Sequence, residues 1–253
     1  MQRVLFEIGN LPIYAYGTTL FLAFLIGIAW ALKEAPDKGI DRDHFMEISI
    51  IAIILAIIGS RIAFVVSYWD YFQGGPWWRA FAFRDGGLIF YGGFFAALLG
   101  ALVYCRYRRI SFFNVMDLAT PFIALGYGIT RVGCFLNGCC YGQHTDGPWG
   151  VIFPVLDSGL RHPTQLYSSF AALFIFIILR LVRPYSYFNG FLFFLFMVLY
   201  GIYRFVVEFY RVDPNVLGPL SLAQLVALAM IAAGAFVLIW KKKSEEEKIL
   251  SER

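Results

Sequence analysis

Seven runs of apolar residues, at roughly 15–32, 47–66, 87–104, 115–132, 164–180, 189–206 and 220–240, divide this chain at intervals suited to a bilayer rather than to water. Each is close to the ~20 residues needed to cross about 30 Å of hydrocarbon as an α-helix. Of the 253 residues, 60% are hydrophobic and only 15% charged, so a water-facing shell cannot hide the apolar side chains. The expected fold class is all-α integral membrane, a bundle of about seven transmembrane helices. Residues 1–253 read as a single transmembrane domain with the lipid bilayer as its permanent partner. No nucleic-acid partner is expected, because the net charge of +4 matters here through where the cations stand.

Those cations alternate. Lys33, Lys38 and Arg42 follow the first run, Arg106, Arg108 and Arg109 the third, Arg180 and Arg183 the fifth, and Lys241 to Lys243 the last. The intervening loops carry only Arg79, Arg84, Arg161 and Arg211. The positive-inside rule then predicts an N-terminus outside and a C-terminus in the cytosol, with 241–253 as a cytosolic tail. The first helix is expected to stay in the mature protein, since no cleavable signal pattern precedes it. Residues 138–163, polar and rich in glycine and proline, are expected to form a small extracytoplasmic cap. The segment 68–84, crowded with tyrosine, tryptophan and phenylalanine, reads as lying at headgroup level on the same side.

Arg61, Arg131 and Arg204 fall inside or near the outer ends of three different spans. A midspan arginine costs about 2.5–3.5 kcal/mol on insertion scales. Snorkelling to the interface is one explanation. Convergence on a single anionic ligand is the other, and a lipid phosphate suits guanidinium groups, which bind its oxygens in pairs. Glu208 stands one turn beyond Arg204 and Arg211 follows, either as a simple ion pair or as a carboxylate that orients a working arginine. The stretch GYGITRVGCFLNGCCYG, residues 126–142, carries Arg131 into a glycine-rich turn with Asn137, Tyr141 and Gly142. Gly-Gly pairs bracket Tyr91 in the same manner, either for helix packing or for close approach to a substrate. Cys134, Cys139 and Cys140 cluster in sequence. With His144 they are a candidate zinc set, but C-x4-C-C is not the usual spacing; a disulfide or plain buried thiols are the other readings. No metal and no cofactor is expected.

The motifs Tyr16-Gly17, Gly59-x-Arg61, GGLIFYGG at 86–93, Arg131-x-Gly133-x-Phe135-x-Asn137-Gly138, HPTQLY at 162–167 and Arg204-Phe-x-x-Glu208-Phe-x-Arg211 occur in one order along the chain. From about Ile13 to Trp240 the sequence resembles the prolipoprotein diacylglyceryl transferases. The resemblance implies a transferase of the bacterial cytoplasmic (inner) membrane, with its active site toward the outer leaflet, that performs the first step of lipoprotein maturation. The thiol of a lipobox cysteine in a prolipoprotein signal peptide attacks a glycerol carbon of phosphatidylglycerol, forming a thioether and releasing glycerol phosphate. By motif position, Tyr91, Arg131 and Arg204 are the implied catalytic residues. Arg131, Arg204, Asn137, Gly142, Tyr16, Glu208 and Arg61 are the implied phosphatidylglycerol-binding set. Tyr91 stands where many members carry a histidine proposed as general base; a phenol is a poorer base at neutral pH, so Tyr91 is expected to hydrogen-bond substrate. Cys134 stands where asparagine is common, and Ser168 where glutamate is usual. The alternative is a membrane thiol oxidoreductase using the clustered cysteines. A transporter lacks support, because no paired Pro/Gly-broken spans occur.

Overall fold

The computed structural model of the chain describes residues 3–9, 11–82, 86–154, 156, 158–212 and 215–251. Arg84, residues 155 and 157 of the expected cap, and the end of the tail at 252–253 lie outside them. In chain order the elements are β1 (Val4–Ile8), β2 (Leu11–Tyr14), α1 (Ala15–Glu34), α2 (Arg42–Ser67), the one-turn α3 (Trp69–Phe72), α4 (Phe90–Arg108), α5 (Phe112–Asn137), β3 (Val151–Ile152), β4 (Leu160–Arg161), α6 (Thr164–Val182), α7 (Phe191–Glu208), β5 (Asn215–Leu217), β6 (Leu220–Ser221) and α8 (Leu222–Ser251). Among the described residues seven helices are long and apolar enough to cross a membrane, one for each apolar run. Their outward faces carry side chains such as Phe21, Ile54, Phe95, Phe174 and Phe236, solvated by lipid rather than by a protein core. The chain is a multi-pass membrane protein.

The strands are short antiparallel ribbons confined to the connections. The N-terminal ribbon turns at Gly9 with φ +61°, and β5–β6 turns at Gly218 with φ +57°, conformations that cost glycine little. Periodicity in the sequence does not reveal such ribbons, because each is too short to show alternation.

The chain divides into two compact units, 32–115 and 1–31 with 116–253. In the first, α2 and α4 approach at backbone distance. A Cβ at Gly92 would lie 2.5 Å from the Gly59 carbonyl oxygen, and one at Gly93 would lie 2.6 Å from that of Ala56. Small residues thus serve helix packing here, with lipid unable to drive association by hydrophobicity. Arg61 is buried at the end of α2. Its Nε donates to Ala80 O at 2.7 Å, Nη1 to Gly86 O at 2.6 Å and Gly87 O at 3.2 Å, and Nη2 to Arg79 O at 2.6 Å. The guanidinium therefore fastens the aromatic segment to the helix.

In the second unit, Ala124 of α5, Ile175 and Leu179 of α6 and Leu192 of α7 form a buried cluster. Asp117 of α5, also buried, accepts from Gly190 N at 2.7 Å and Phe193 N at 3.0 Å, capping the otherwise unpaired N–H groups at the start of α7. At the other end of α5, a Cβ on Gly133 would meet Thr19 Oγ1 at 1.9 Å, so α1 lies close enough to bring Tyr16 beside the last turn of α5.

Candidate active site

Arg131 sits nearly two turns before the end of α5 with its guanidinium 4.7 Å from the ring centroid of Tyr127, the residue four positions earlier. Among the described residues it has neither a carboxylate partner nor a hydrogen-bond partner. The Tyr127 hydroxyl is 3.3 Å from that of Tyr203 on α7, and the Tyr203 hydroxyl in turn bonds Ser168 on α6. Tyr200 also packs edge-on against Tyr127, with ring centroids 5.5 Å apart. Tyr200 stands one turn before Arg204 on α7, so the two arginines flank one group of phenols. The arrangement is a half-buried cation set among phenols, where the low dielectric strengthens its attraction for an anion.

Arg204 is handled differently. It forms an ion pair with Glu208, one turn away on α7. Glu208 is 5% exposed, accepts from Ser221 Oγ at 2.6 Å, and also has Arg211 Nε at 3.7 Å. One buried carboxylate therefore neutralises and aims two arginines, and a hydroxyl satisfies its other oxygen.

The other expected residues take varied places. Tyr16 is half exposed on the second residue of α1, within the field of Arg131 and the cysteines. Asn137 ends α5, and its carbonyl accepts from Arg3 Nε at 3.2 Å, tying the N-terminal ribbon to this end of the helix. Gly142 is needed by the backbone. Its N–H bonds His162 O at 2.9 Å, and a Cβ there would lie 2.4 Å from Tyr210 O. Arg61 and Tyr91 belong to the other unit. Arg61, expected as a lipid ligand, is committed to loop carbonyls, whereas the Tyr91 hydroxyl has no hydrogen-bond partner among the described residues.

Cys134, Cys139 and Cys140 are free thiols with their sulfurs all within 4.8 Å of one another, in keeping with the thiol reading rather than the disulfide alternative. His144 is not among them; its Nε2 lies 2.8 Å from Arg161 Nη2. Hydrogen bonds with the Cys134 and Cys139 thiols, aided by the charges of Arg131 and Arg211, hold the Cys140 thiol below the usual thiol range.

Tyr127, Tyr200 and Tyr203 do not emerge from the sequence reading. A signal exists for two of them: Tyr127–Arg131 and Tyr200–Arg204 share the same four-residue spacing. A cleft of about 580 Å³ opens next to Tyr203, walled by Trp149, His162, Tyr167 and Tyr210. His162 Nδ1 is 3.1 Å from the Tyr167 hydroxyl, and its ring centroid is 5.0 Å from that of Tyr210.

The fold and this site define a multi-pass membrane protein that gathers arginines among phenols and thiols at the ends of α5 and α7. The chain belongs to the prolipoprotein diacylglyceryl transferase family, which it matches over residues 3–240, and is accordingly a transferase. It is 37% identical over 244 residues to the phosphatidylglycerol–prolipoprotein diacylglyceryl transferase of Finegoldia magna, covering 96% of this chain and 97% of that protein. To the protein of that name from Clostridioides difficile it is 34% identical over the whole of both chains. The Bacillus cytotoxicus protein of that name is 32% identical over 98% of this chain and 95% of its own. None of these names supports a thiol oxidoreductase.

Proposed function

We propose that this chain moves the diacylglyceryl group of phosphatidylglycerol onto the lipobox cysteine of prolipoprotein signal peptides, at the outer leaflet of the bacterial inner membrane. The N-terminus then lies outside, and residues 138–163 cap the site. Two demands follow from the chemistry. The attacking thiol, of ordinary pKa about 8.5, has to become a thiolate. The phosphate leaving the glycerol carbon has to be stabilised where water is scarce.

The observation that carries the reading is Arg131, a half-buried guanidinium with no carboxylate partner among the described residues, which flanks the same group of phenols as Arg204. A phosphodiester supplies the missing negative charge and enough oxygens for both forks. Arg204, held by Glu208, is the better placed to follow charge as it grows on the leaving oxygen, because its orientation is already fixed. Glu208 is thus a positioning residue. Tyr16 and Asn137 stand at the same end of α5 as Arg131 and support lipid binding there, while Gly142 keeps the backbone closed behind them. Tyr91 stays in the proposal, by its place in the sequence, as a hydrogen-bond partner of substrate. Arg61 is assigned to holding the aromatic segment.

The test is transfer of labelled diacylglyceryl from phosphatidylglycerol to a lipobox peptide by the full chain in detergent. The expected products are a peptide thioether and glycerol phosphate. Arg131→Ala and Arg204→Ala are each expected to slow transfer by about 10²-fold or more, the scale of losing one donor to a developing oxyanion. Full activity in both variants rules out the assignment.

A further inference from the structure

The C-x4-C-C spacing suggests no metal site, yet the end of α5 brings its three sulfurs together. The helix terminator does this. Gly138 adopts φ +74°, its N–H bonds Phe135 O, and Cys139 N–H bonds Cys134 O, both at 3.1 Å. Such a closure stacks the side chain of the last turn on the one just past the glycine, here Cys134 on Cys139. Cys140 then takes φ +62°, a left-handed conformation that a residue with a Cβ keeps only when its surroundings hold it. Thr164 Oγ1 donates to Cys140 O at 2.8 Å and Gln165 Nε2 to Cys139 O at 2.6 Å, so α6 supplies the hold.

Three thiolates bound at about 2.3 Å to one tetrahedral zinc ion stand roughly 3.8 Å apart. The sulfurs here, all within 4.8 Å of one another, need only small side-chain movements to reach that spacing. Two further observations point to a ligand. Gln165 is wholly buried, and its Oε1, on the amide fixed beside the Cys139 carbonyl, has no hydrogen-bond partner among the described residues. In addition, Arg131 stands three residues before Cys134 on the same helix, and Arg211 pairs through its backbone with Gly142, two residues past Cys140. Their charges offset the single negative charge that three thiolates leave around a divalent ion.

We infer that Cys134, Cys139 and Cys140 form a trithiolate site for a thiophilic divalent cation of the zinc type, with its fourth position open to a thiol. Three protein ligands and an exchangeable fourth are the arrangement of a reactive zinc site, whereas a closed set of four is structural. The identity of the entering thiol rests on the transferase reading: it is the lipobox cysteine. On binding the ion its proton passes to water. The thiolate sulfur then forms a bond to the glycerol carbon as that carbon's bond to the phosphate oxygen breaks. The electron pair leaves on the phosphate, and a proton from water completes the monoester. The ion keeps its oxidation state throughout.

The experiment strips the reduced full-length protein with a chelator in detergent and titrates it with Co²⁺. A thiolate-to-cobalt charge-transfer band saturating at one ion per chain is expected, displaced by Zn²⁺ and retained in His144→Ala. In the unaltered chain Zn²⁺ is expected to protect the three cysteines together from maleimide, read by mass spectrometry, which removes any dependence on variants that fold poorly. Absence of the band, an undiminished band in Cys140→Ser, or no protection overturns the site. A lipobox peptide is expected to shift the band and its Cys→Ser counterpart to leave it unchanged; a band indifferent to the cysteine peptide overturns the thiol-binding step. A peptide-dependent shift without transfer from phosphatidylglycerol sinks the transferase reading and leaves the metal site standing.

Discussion

A guanidinium buried in an apolar span needs either a counter-charge or a full set of acceptors, and the three arginines picked out by position meet that need in three ways. Arg61 finds four backbone bonds, Arg204 finds Glu208, and Arg131, among the described residues, lies over the face of Tyr127 with no carboxylate partner. The sequence shows that all three are costly but cannot rank them, because the partners of Arg61 lie 18 to 26 residues away in a segment with no helical period. Glu208 is the clearer case, since spacing alone pairs it with Arg204. Removing one side of a buried, hydrogen-bonded pair leaves a stranded charge and costs about 3–5 kcal/mol. Glu208→Ala is therefore expected to lower the thermal midpoint in detergent clearly and to raise KM for phosphatidylglycerol, because both Arg204 and Arg211 lose their anchor. An unchanged midpoint and KM would show that Glu208 orients nothing.

At the level of elements the seven spans are legible because the bilayer demands one simple property, an apolar run long enough to cross it. What the hydropathy does not carry is how the spans meet. The Gly-Gly pairs on either side of Tyr91 read equally well as packing or as a substrate crevice, and at Gly92 and Gly93 the backbone distances settle on packing of α2 against α4. Gly93→Leu is expected to destabilise the protein by about 1–3 kcal/mol, the usual cost of overpacking, seen as an earlier unfolding transition. Gly17→Ala, with open space around the added methyl, is the control and is expected to be neutral or slightly stabilising. Equal behaviour of the two variants would contradict the close α2–α4 approach. For a related reason the sequence shows the three cysteines as neighbours but not that their sulfurs meet: the spacing is unlike a zinc knuckle, and the glycine-terminated end of α5 makes a five-residue separation a contact.

Over the whole molecule, composition and charge placement are enough for a multi-pass protein with seven spans, and the order of short motifs is enough for its family. The phenols around Arg131 are less legible because tyrosines are common at membrane interfaces and carry no motif of their own. Their convergence depends on α5, α6 and α7 sharing one face, as the Tyr127–Tyr203–Ser168 chain of hydroxyls records. In the proposed reaction Arg131 and Arg204 grip one phosphodiester together. Groups that act on a single ligand show strongly non-additive losses, whereas independent groups add within about 0.3–0.5 kcal/mol. The most direct measurement is a double-mutant cycle on kcat/KM for diacylglyceryl transfer with Arg131→Lys, Arg204→Lys and the pair. The prediction is that each single change slows transfer at least about tenfold, and that the double variant loses far less than the product of the two. Strictly multiplicative losses, or no loss from either change, would contradict a shared headgroup.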